Sequence, residues 1–238
     1  MERKWELDAL RGLAISLMLV FHLAFDLNYL SIMPLSVYQM PWLLLQRLTI
    51  TLFLLLVGAS LWLKSEKLAA ENKNVNVELA KRALFLFAIA ALISLATWLY
   101  TPQEFIVFGI IHFIALSTIL AIPFLRFYKL NLLIGTALIA SSFFISLPQL
   151  NTPLFLWLGF TFPGFQSLDY VSLFPWFGLV LLGIFAAKLL YHEMKINFQK
   201  PQDKISDIFT LMSRNSLSIY LLHQPILLGI LKLYTLIF

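Results

Sequence analysis

The sequence predicts an all-α, polytopic integral membrane protein, a helical bundle of about seven transmembrane helices with a cytoplasmic N-terminus. Three observations lead to this fold class. Of the 238 residues, 61% are hydrophobic and only 12% are charged, whereas soluble domains are about 45–50% apolar and about 25% charged. The apolar residues form runs long enough to cross a bilayer, and Lys and Arg concentrate in alternate connections between those runs.

Seven apolar stretches are long enough to be spans, because a helix needs about 20 residues to cross a hydrocarbon core about 30 Å thick. Their expected bounds are 9–29, 42–63, 82–100, 105–125, 130–147, 170–190 and 213–235. No connection between them is long enough to bury a core of its own. We therefore expect residues 1–238 to form a single transmembrane domain.

The basic residues of the connections predict the orientation of the bundle. Fifteen of the 17 Lys and Arg residues lie on one side, in the N-terminal segment that holds Arg3 and in connections 64–82, 126–129 and 188–214. The alternating connections have none, and these are 30–41, 101–104 and 148–169. Because cytoplasmic connections carry the excess of Lys and Arg, we expect the N-terminus inside and the C-terminus outside.

Composition also excludes several kinds of chemistry. The chain has no cysteine, which rules out disulfides, thiolate nucleophiles and cysteine-based zinc sites. The sequence holds no glycine-rich phosphate loop and no metal-binding cluster, so we expect no metal. The net charge of +5 is explained by membrane topology, so we expect a lipid bilayer and not nucleic acid as the partner.

Ionisable side chains inside the predicted spans are the candidate functional residues, because such groups are costly in lipid. His22 lies about 18 Å from the inner end of the first span at a rise of about 1.5 Å per residue, and Asp26 lies one turn further out. Arg47 and His112, on the second and fourth spans, lie about 9 and 10 Å below the outer face. Three spans thus place ionisable groups at a similar depth in the outer half of the membrane.

Helical spacing places part of this set on one face of the first span. Arg11 and His22 are eleven residues apart, about three turns, and His22 and Asp26 are i,i+4 neighbours. A nearby carboxylate can fix the tautomer of a histidine and stabilise its protonated form. We therefore expect Asp26 to orient His22 in a stripe that lines a passage.

Each of these residues also has a structural alternative. Arg11 can be an anchor of the first span that pairs with Asp8, and Asp26 can be an interfacial residue that reaches water. Arg47 can extend its charged end to the outer surface. His112 can be a core histidine that hydrogen-bonds a neighbouring helix.

For His223, on the last span, the structural interpretation is the better one, because Pro225 leaves a backbone carbonyl nearby without its usual donor. The case for a functional role is strongest for His22.

Four segments of the chain resemble a known family. The first, "LDALRGLAISLMLVFHLAFDL", carries Arg-x10-His from Arg11 to His22, which is similar to the signature of transmembrane acyltransferases with an essential histidine. The others are "GIIHFIALS" (109–117), "LFPWFGLVLLGI" (173–184) and "RNSLSIYLLHQPI" (214–226). Together they resemble bacterial membrane proteins with a heparan-alpha-glucosaminide N-acetyltransferase-like catalytic domain.

The resemblance implies an enzyme of the bacterial cytoplasmic (inner) membrane. Such an enzyme moves an acetyl group from cytoplasmic acetyl-CoA to a sugar or glycolipid amine or hydroxyl. The enzyme that names the family has long segments between its spans, and this chain has short ones, so we expect a smaller or lipid-linked acceptor. A homodimer is left open.

The resemblance and the chemistry of thioesters together assign roles to the candidates. A thioester needs an activated nucleophile, and histidine is the usual general base. His22 is the expected base or transient acyl carrier, and Asp26 orients it. Arg47 or His112 would stabilise the oxyanion or hold the acceptor. Arg11 would hold the phosphates of CoA together with Arg214, or with Arg82 or Arg126 in its place.

Two other classes of protein fit the same residues. A proton-coupled transporter or permease would use the His, Asp and Arg cluster as a proton relay, and it would need no acetyl donor. A scaffold without chemistry would tolerate replacement of His22.

Overall fold

The computed structural model describes residues 4–201 and 203–237, and every regular element in these ranges is a helix. Arg3 lies outside the described residues. The α-helices are α1 (Trp5–Tyr29), α2 (Trp42–Ala70), α3 (Val75–Tyr100), α4 (Ile110–Ala121), α5 (Lys129–Ser141), α6 (Leu173–Lys188), α7 (Lys204–Arg214) and α8 (Ser216–Ile237). A 3-10 turn at Ile122–Phe124 extends α4, and a π-helical turn at Leu189–Glu193 extends α6. The predicted all-α membrane fold is confirmed.

Within the described ranges, five helices are long and apolar enough to cross a membrane. They are α1, α2, α3, α6 with its π-helical turn, and α8. The stretches 105–125 and 130–147 form shorter apolar helices, Ile110–Phe124 and Lys129–Ser141. At about 1.5 Å per residue these measure about 22 and 20 Å, less than a hydrocarbon core of about 30 Å. The count of seven spans and the cytoplasmic N-terminus therefore stay predictions.

The basic connection predicted at 64–82 is mostly helix, because α2 continues to Ala70 and α3 begins at Val75. The side chain of Asn74 caps α3 by accepting a hydrogen bond from the backbone N–H of Val77, as expected for an N-cap asparagine. In the turn, Lys73 Nζ lies 2.7 Å from Glu71. This hydrogen bond lowers the pKa of Glu71 below its ordinary value.

Helix α7 lies where a connection was expected. The Asp203 side chain begins the helix by accepting a hydrogen bond from the backbone N–H of Ser206 at 2.7 Å. The helix ends at Arg214, and a single residue, Asn215, separates it from α8. The last span therefore begins at Ser216 and not at residue 213.

The chain divides into two compact units, Met1–Leu56 with Asn197–Phe238, and Val57–Ile196. In the first unit, α1 packs against α7 and α8. Trp5 Nε1 donates a hydrogen bond to the carbonyl of Phe198 at 3.1 Å, which holds the start of α1 against the segment before α7. The single domain over 1–238 stays a prediction.

In the second unit, α3 packs on α4 and α5 packs on α6. The α5–α6 pair meets at Gly135 and Gly178, where a Cβ atom on either glycine would lie 2.7–2.8 Å from the carbonyl oxygen of the other. Small residues at such a crossing let membrane helices approach closely. Phe113, Val180 and Ile184 are fully buried in this unit.

Candidate functional site

Four polar side chains meet between α1 and α8 in the first unit, and we call them the polar cluster: His22, Asp26, His223 and Gln224. The rings of His22 and His223 are in edge-to-face contact, with centroids 4.7 Å apart. Gln224 Nε2 donates a hydrogen bond to Asp26 Oδ1 at 2.6 Å. Asp26 and His223 are buried, and the other two are half-buried. The cluster thus adds polar contacts between two membrane helices.

The hydrogen bond of His22 assigns its tautomer. His22 Nδ1 lies 2.9 Å from the backbone carbonyl oxygen of Met18, one turn earlier on α1. A carbonyl oxygen only accepts, so Nδ1 carries the proton of the neutral ring and Nε2 carries the lone pair. The ring is therefore held in position and keeps Nε2 as a base.

Asp26 has a different partner from the one expected. Its hydrogen bond comes from Gln224 on α8, so the group that fixes the His22 ring is the Met18 carbonyl and not Asp26. Asp26 is fully buried. Within the described residues, Asp26 Oδ2 and Gln224 Oε1 are buried without a hydrogen-bond partner. Both are acceptors, and a buried unpaired acceptor is costly.

His223 is positioned by its own helix. His223 Nδ1 lies 2.6 Å from the carbonyl oxygen of Tyr220, near the turn where Pro225 interrupts the hydrogen bonds of α8. His223 thus bonds to the backbone, but its partner is not the carbonyl of Leu221, the one that Pro225 leaves without a donor. The same ring also reaches His22, which the structural interpretation did not include.

The chain matches a known family. The family model described as heparan-alpha-glucosaminide N-acetyltransferase, catalytic, matches residues 3–225. The chain belongs to this family. The resemblance drawn from the four segments is confirmed, and membership implies a membrane acetyltransferase. The match includes every residue of the polar cluster. No curated protein and no solved structure matches the chain.

In this acetyltransferase, Arg11 pairs with Asp8, as expected if it is an anchor of the first span. Arg11 Nη1 lies 3.2 Å from Asp8 Oδ1 and donates a hydrogen bond to Ser213 Oγ at 2.7 Å. Ser213 in turn donates to Asp8 Oδ1 at 2.8 Å. Because Asp8 and Ser213 are buried, this triangle ties α1 to α7. A phosphate contact by Arg11 stays a prediction.

The other two arginines predicted for the site are exposed. Arg214 is the last residue of α7, and Arg47 lies in the second turn of α2. Exposure fits a phosphate contact at Arg214. The role of Arg47 toward an oxyanion or an acceptor stays a prediction.

His112 lies in the second unit and uses both ring nitrogens. The backbone N–H of Gly109 donates to His112 Nδ1 at 3.3 Å, so Nε2 carries the proton and donates to Ser94 Oγ at 3.3 Å. Ser94 then donates to the carbonyl of Ile106 at 2.6 Å. His112 therefore caps α4 and ties it to α3. This is the contact expected of a core histidine that hydrogen-bonds a neighbouring helix. An oxyanion role stays a prediction.

Sequence reasoning missed Gln224 and undervalued His223. Gln224 is a polar amide inside the predicted last span, and polar groups in spans are rare enough to be examined one by one. No group of three or more metal-ligating side chains occurs within residues 4–201 and 203–237.

Proposed function

We propose that this acetyltransferase moves an acetyl group from acetyl-CoA to an amine or hydroxyl of a sugar or glycolipid, with His22 as the general base. The observation that carries the proposal is the hydrogen bond from His22 Nδ1 to the Met18 carbonyl. It leaves the basic Nε2 in a polar cluster on two membrane helices. A positioned base of this kind contributes about 10²–10⁴-fold to a rate.

The reaction follows from that tautomer. The acceptor O–H or N–H gives its proton to His22 Nε2 as the acceptor atom attacks the carbonyl carbon of the acetyl thioester. The new bond to the acceptor forms, the C–S bond breaks, and CoA leaves as a thiolate. Protonated His22 then returns its proton to that thiolate, which restores the neutral ring. The Met18 carbonyl holds Nδ1–H throughout, so only Nε2 changes its protonation.

The remaining members of the cluster are proposed to hold the acceptor. Asp26 Oδ2 and Gln224 Oε1 are buried acceptors without a partner among the described residues. The hydroxyl and amine groups of a sugar are hydrogen-bond donors and would satisfy both. Asp26 thus acts as a positioning residue for the acceptor, and the ring of His223 contacts the ring of His22.

The donor side of the proposal rests on charge. Arg214 is exposed at the end of α7, where its planar cation can pair with a CoA phosphate. Arg11, which Asp8 and Ser213 hold on the neighbouring helix, is retained as a second candidate for a phosphate contact. Arg47 and His112 are retained as candidates for the oxyanion. We place the protein in a bacterial cytoplasmic membrane, where acetyl-CoA is available on one side.

A covalent route is the second form of the same proposal. His22 Nε2 would attack the thioester itself, CoA would leave, and an acetyl-imidazole would pass its acetyl group to the acceptor. Rapid quenching of the enzyme with labelled acetyl-CoA and no acceptor separates the two routes. Label bound to the protein supports the carrier route, and label that stays on CoA supports direct transfer.

The proposal is tested with purified protein in detergent, labelled acetyl-CoA and a panel of sugar amines and glycolipids. Wild type is compared with His22→Ala, and His192→Ala is the matched control because His192 is an exposed histidine outside the cluster. We expect the control to transfer label like wild type and His22→Ala to lose transfer. Equal transfer by His22→Ala would remove His22 from the mechanism.

One observation favours a second function. A fully buried aspartate one turn from a histidine on the same span is the kind of group that a proton-coupled transporter uses. Proteoliposomes that take up a sugar with protons, and that neither bind nor cleave acetyl-CoA, would favour the transporter over the transferase.

A further inference from the structure

Helix α7 has an apolar face that the described chain leaves exposed. Ile205, Ile208 and Leu211 follow one another every three residues and are 67%, 55% and 61% exposed. Residues three apart are neighbours on a helix surface, so the three side chains form one continuous stripe. The stripe needs an apolar environment that residues 4–201 and 203–237 do not supply.

The opposite side of α7 packs near the beginning of α1. A Cβ atom on Gly12 would lie 2.8 Å from Phe209 Cα, so the two helices are in backbone contact there. Ser213 donates its hydrogen bond to Asp8 on the same part of α1. Because α1 is a candidate span that starts at Trp5, these contacts place α7 at one end of a span.

The position of α7 along the chain agrees with this placement. Eleven residues make a helix about 16 Å long, too short to cross a hydrocarbon core. Only Asn215 separates α7 from α8, which is itself a candidate span. A short amphipathic helix joined directly to the end of a span is suited to lie along the membrane surface.

The charges around α7 indicate which surface it fits. Residues 188–214 hold five basic side chains against three acidic ones. Of the acidic residues, Asp207 pairs with Lys200 at 2.6 Å and Asp203 caps the helix. Lys204 and Arg214 mark the two ends of α7, and both are exposed. Anionic lipid headgroups attract basic residues in this position.

We propose that α7 lies in the membrane–water interface, with its Ile205–Ile208–Leu211 face among the lipid acyl chains and Lys204, at its start, on anionic headgroups. The occupant of the apolar stripe is thus the bilayer. A second copy of the chain or another protein would instead shield the stripe from both lipid and water.

The absence of cysteine allows the full chain to be labelled at single sites. Ile208→Cys and Ile205→Cys place a nitroxide on the apolar stripe, and Asp207→Cys is the matched control on the polar side. Each variant is checked for a single peak in size exclusion and reconstituted in phosphatidylcholine vesicles that contain phosphatidylglycerol. Collisions with oxygen, which dissolves in lipid, are compared with collisions with a water-soluble nickel chelate.

We expect the ratio of oxygen to nickel accessibility to be several-fold higher at 205 and 208 than at 207. Equal nickel accessibility at 208 and 207 would overturn the proposal, because the stripe would then face water. Low accessibility to both reagents at 205 and 208 would also overturn it, since a protein would cover the stripe. Labels equally deep in phosphatidylcholine alone would refute the role of anionic headgroups.

Discussion

The hydrogen bond between Gln224 and Asp26 offers a stability test of the polar cluster. Gln224→Met keeps the length of the side chain but removes the amide that donates to Asp26 at 2.6 Å. A fully buried acceptor that loses its donor costs about 1–3 kcal/mol. For a chain of this size, 1 kcal/mol lowers the melting temperature by about 2–4 °C. We therefore expect Gln224→Met to unfold about 2–12 °C below wild type.

The second half of the test replaces both partners. Asp26→Leu with Gln224→Met exchanges the polar pair for an apolar pair of similar shape, which is close to neutral for a buried site. The double variant should therefore be more stable than the sum of the two single changes predicts, by about 0.5–3 kcal/mol. Leu222→Met, at an exposed position of α8, is the control and should unfold like wild type.

Thermal unfolding in detergent, followed by tryptophan fluorescence, measures wild type, the two single variants, the double variant and the Leu222→Met control under one condition. Unfolding of Gln224→Met at the wild-type temperature would contradict a buried hydrogen bond between the two residues. Single changes that add without recovery in the double variant would contradict it as well, because the residues would then be independent.

Three further changes test other contacts of the fold. Ser213→Ala removes the 2.8 Å hydrogen bond to buried Asp8 and should cost about 1–3 kcal/mol in thermal unfolding; an unchanged melting temperature would contradict the α1–α7 tie. Gly135→Leu inserts a side chain where the backbone of Gly178 is in contact, which should destabilise the fold by about 1–3 kcal/mol or more. Less of the protein should then elute as a monodisperse peak in size exclusion, and a wild-type profile would contradict that contact. Asn131→Ala removes two hydrogen bonds from a buried amide to backbone carbonyls and should speed hydrogen exchange at the start of α5; unchanged exchange would argue against this role.

Most of the helices could be predicted from the sequence because apolar length is a direct property of the chain. The predicted stretch 130–147 was too long, since the apolar residues continue past Ser141 although the helix ends there. Phe143 and Phe144 belong to this continuation and are highly exposed. Hydrophobicity alone therefore overestimated the length of α5.

Helix α7 was not predicted, because its Lys, Asp and Ser residues are typical of a polar connection between spans. Its apolar residues Ile205, Ile208, Phe209 and Met212 nevertheless follow the i, i+3, i+4, i+7 spacing of an amphipathic helix. A test of periodicity within the connection would have found it.

The candidate site could be predicted in part. His22 and Asp26 were found because polar groups in a span are costly, and this holds for one helix taken alone. The partner of Asp26 lies 198 residues away on α8, and the packing of α1 on α8 cannot be deduced from the pattern of either helix. The hydrogen bond of His22 to the backbone carbonyl of Met18 lies within α1 itself. It was not predicted, because the carboxylate of Asp26 has the same i,i+4 spacing and was taken as the partner.

The account depends most directly on Nε2 of His22 as the base. His22→Asn is the decisive variant, because an amide N–H can replace Nδ1–H toward the Met18 carbonyl while no basic nitrogen remains. Turnover of labelled acetyl-CoA with a responsive acceptor is measured beside His192→Asn and the melting temperature of each protein. We expect His22→Asn to lose about 10²–10⁴-fold in turnover at an unchanged melting temperature. Turnover by His22→Asn within a few-fold of wild type would contradict it.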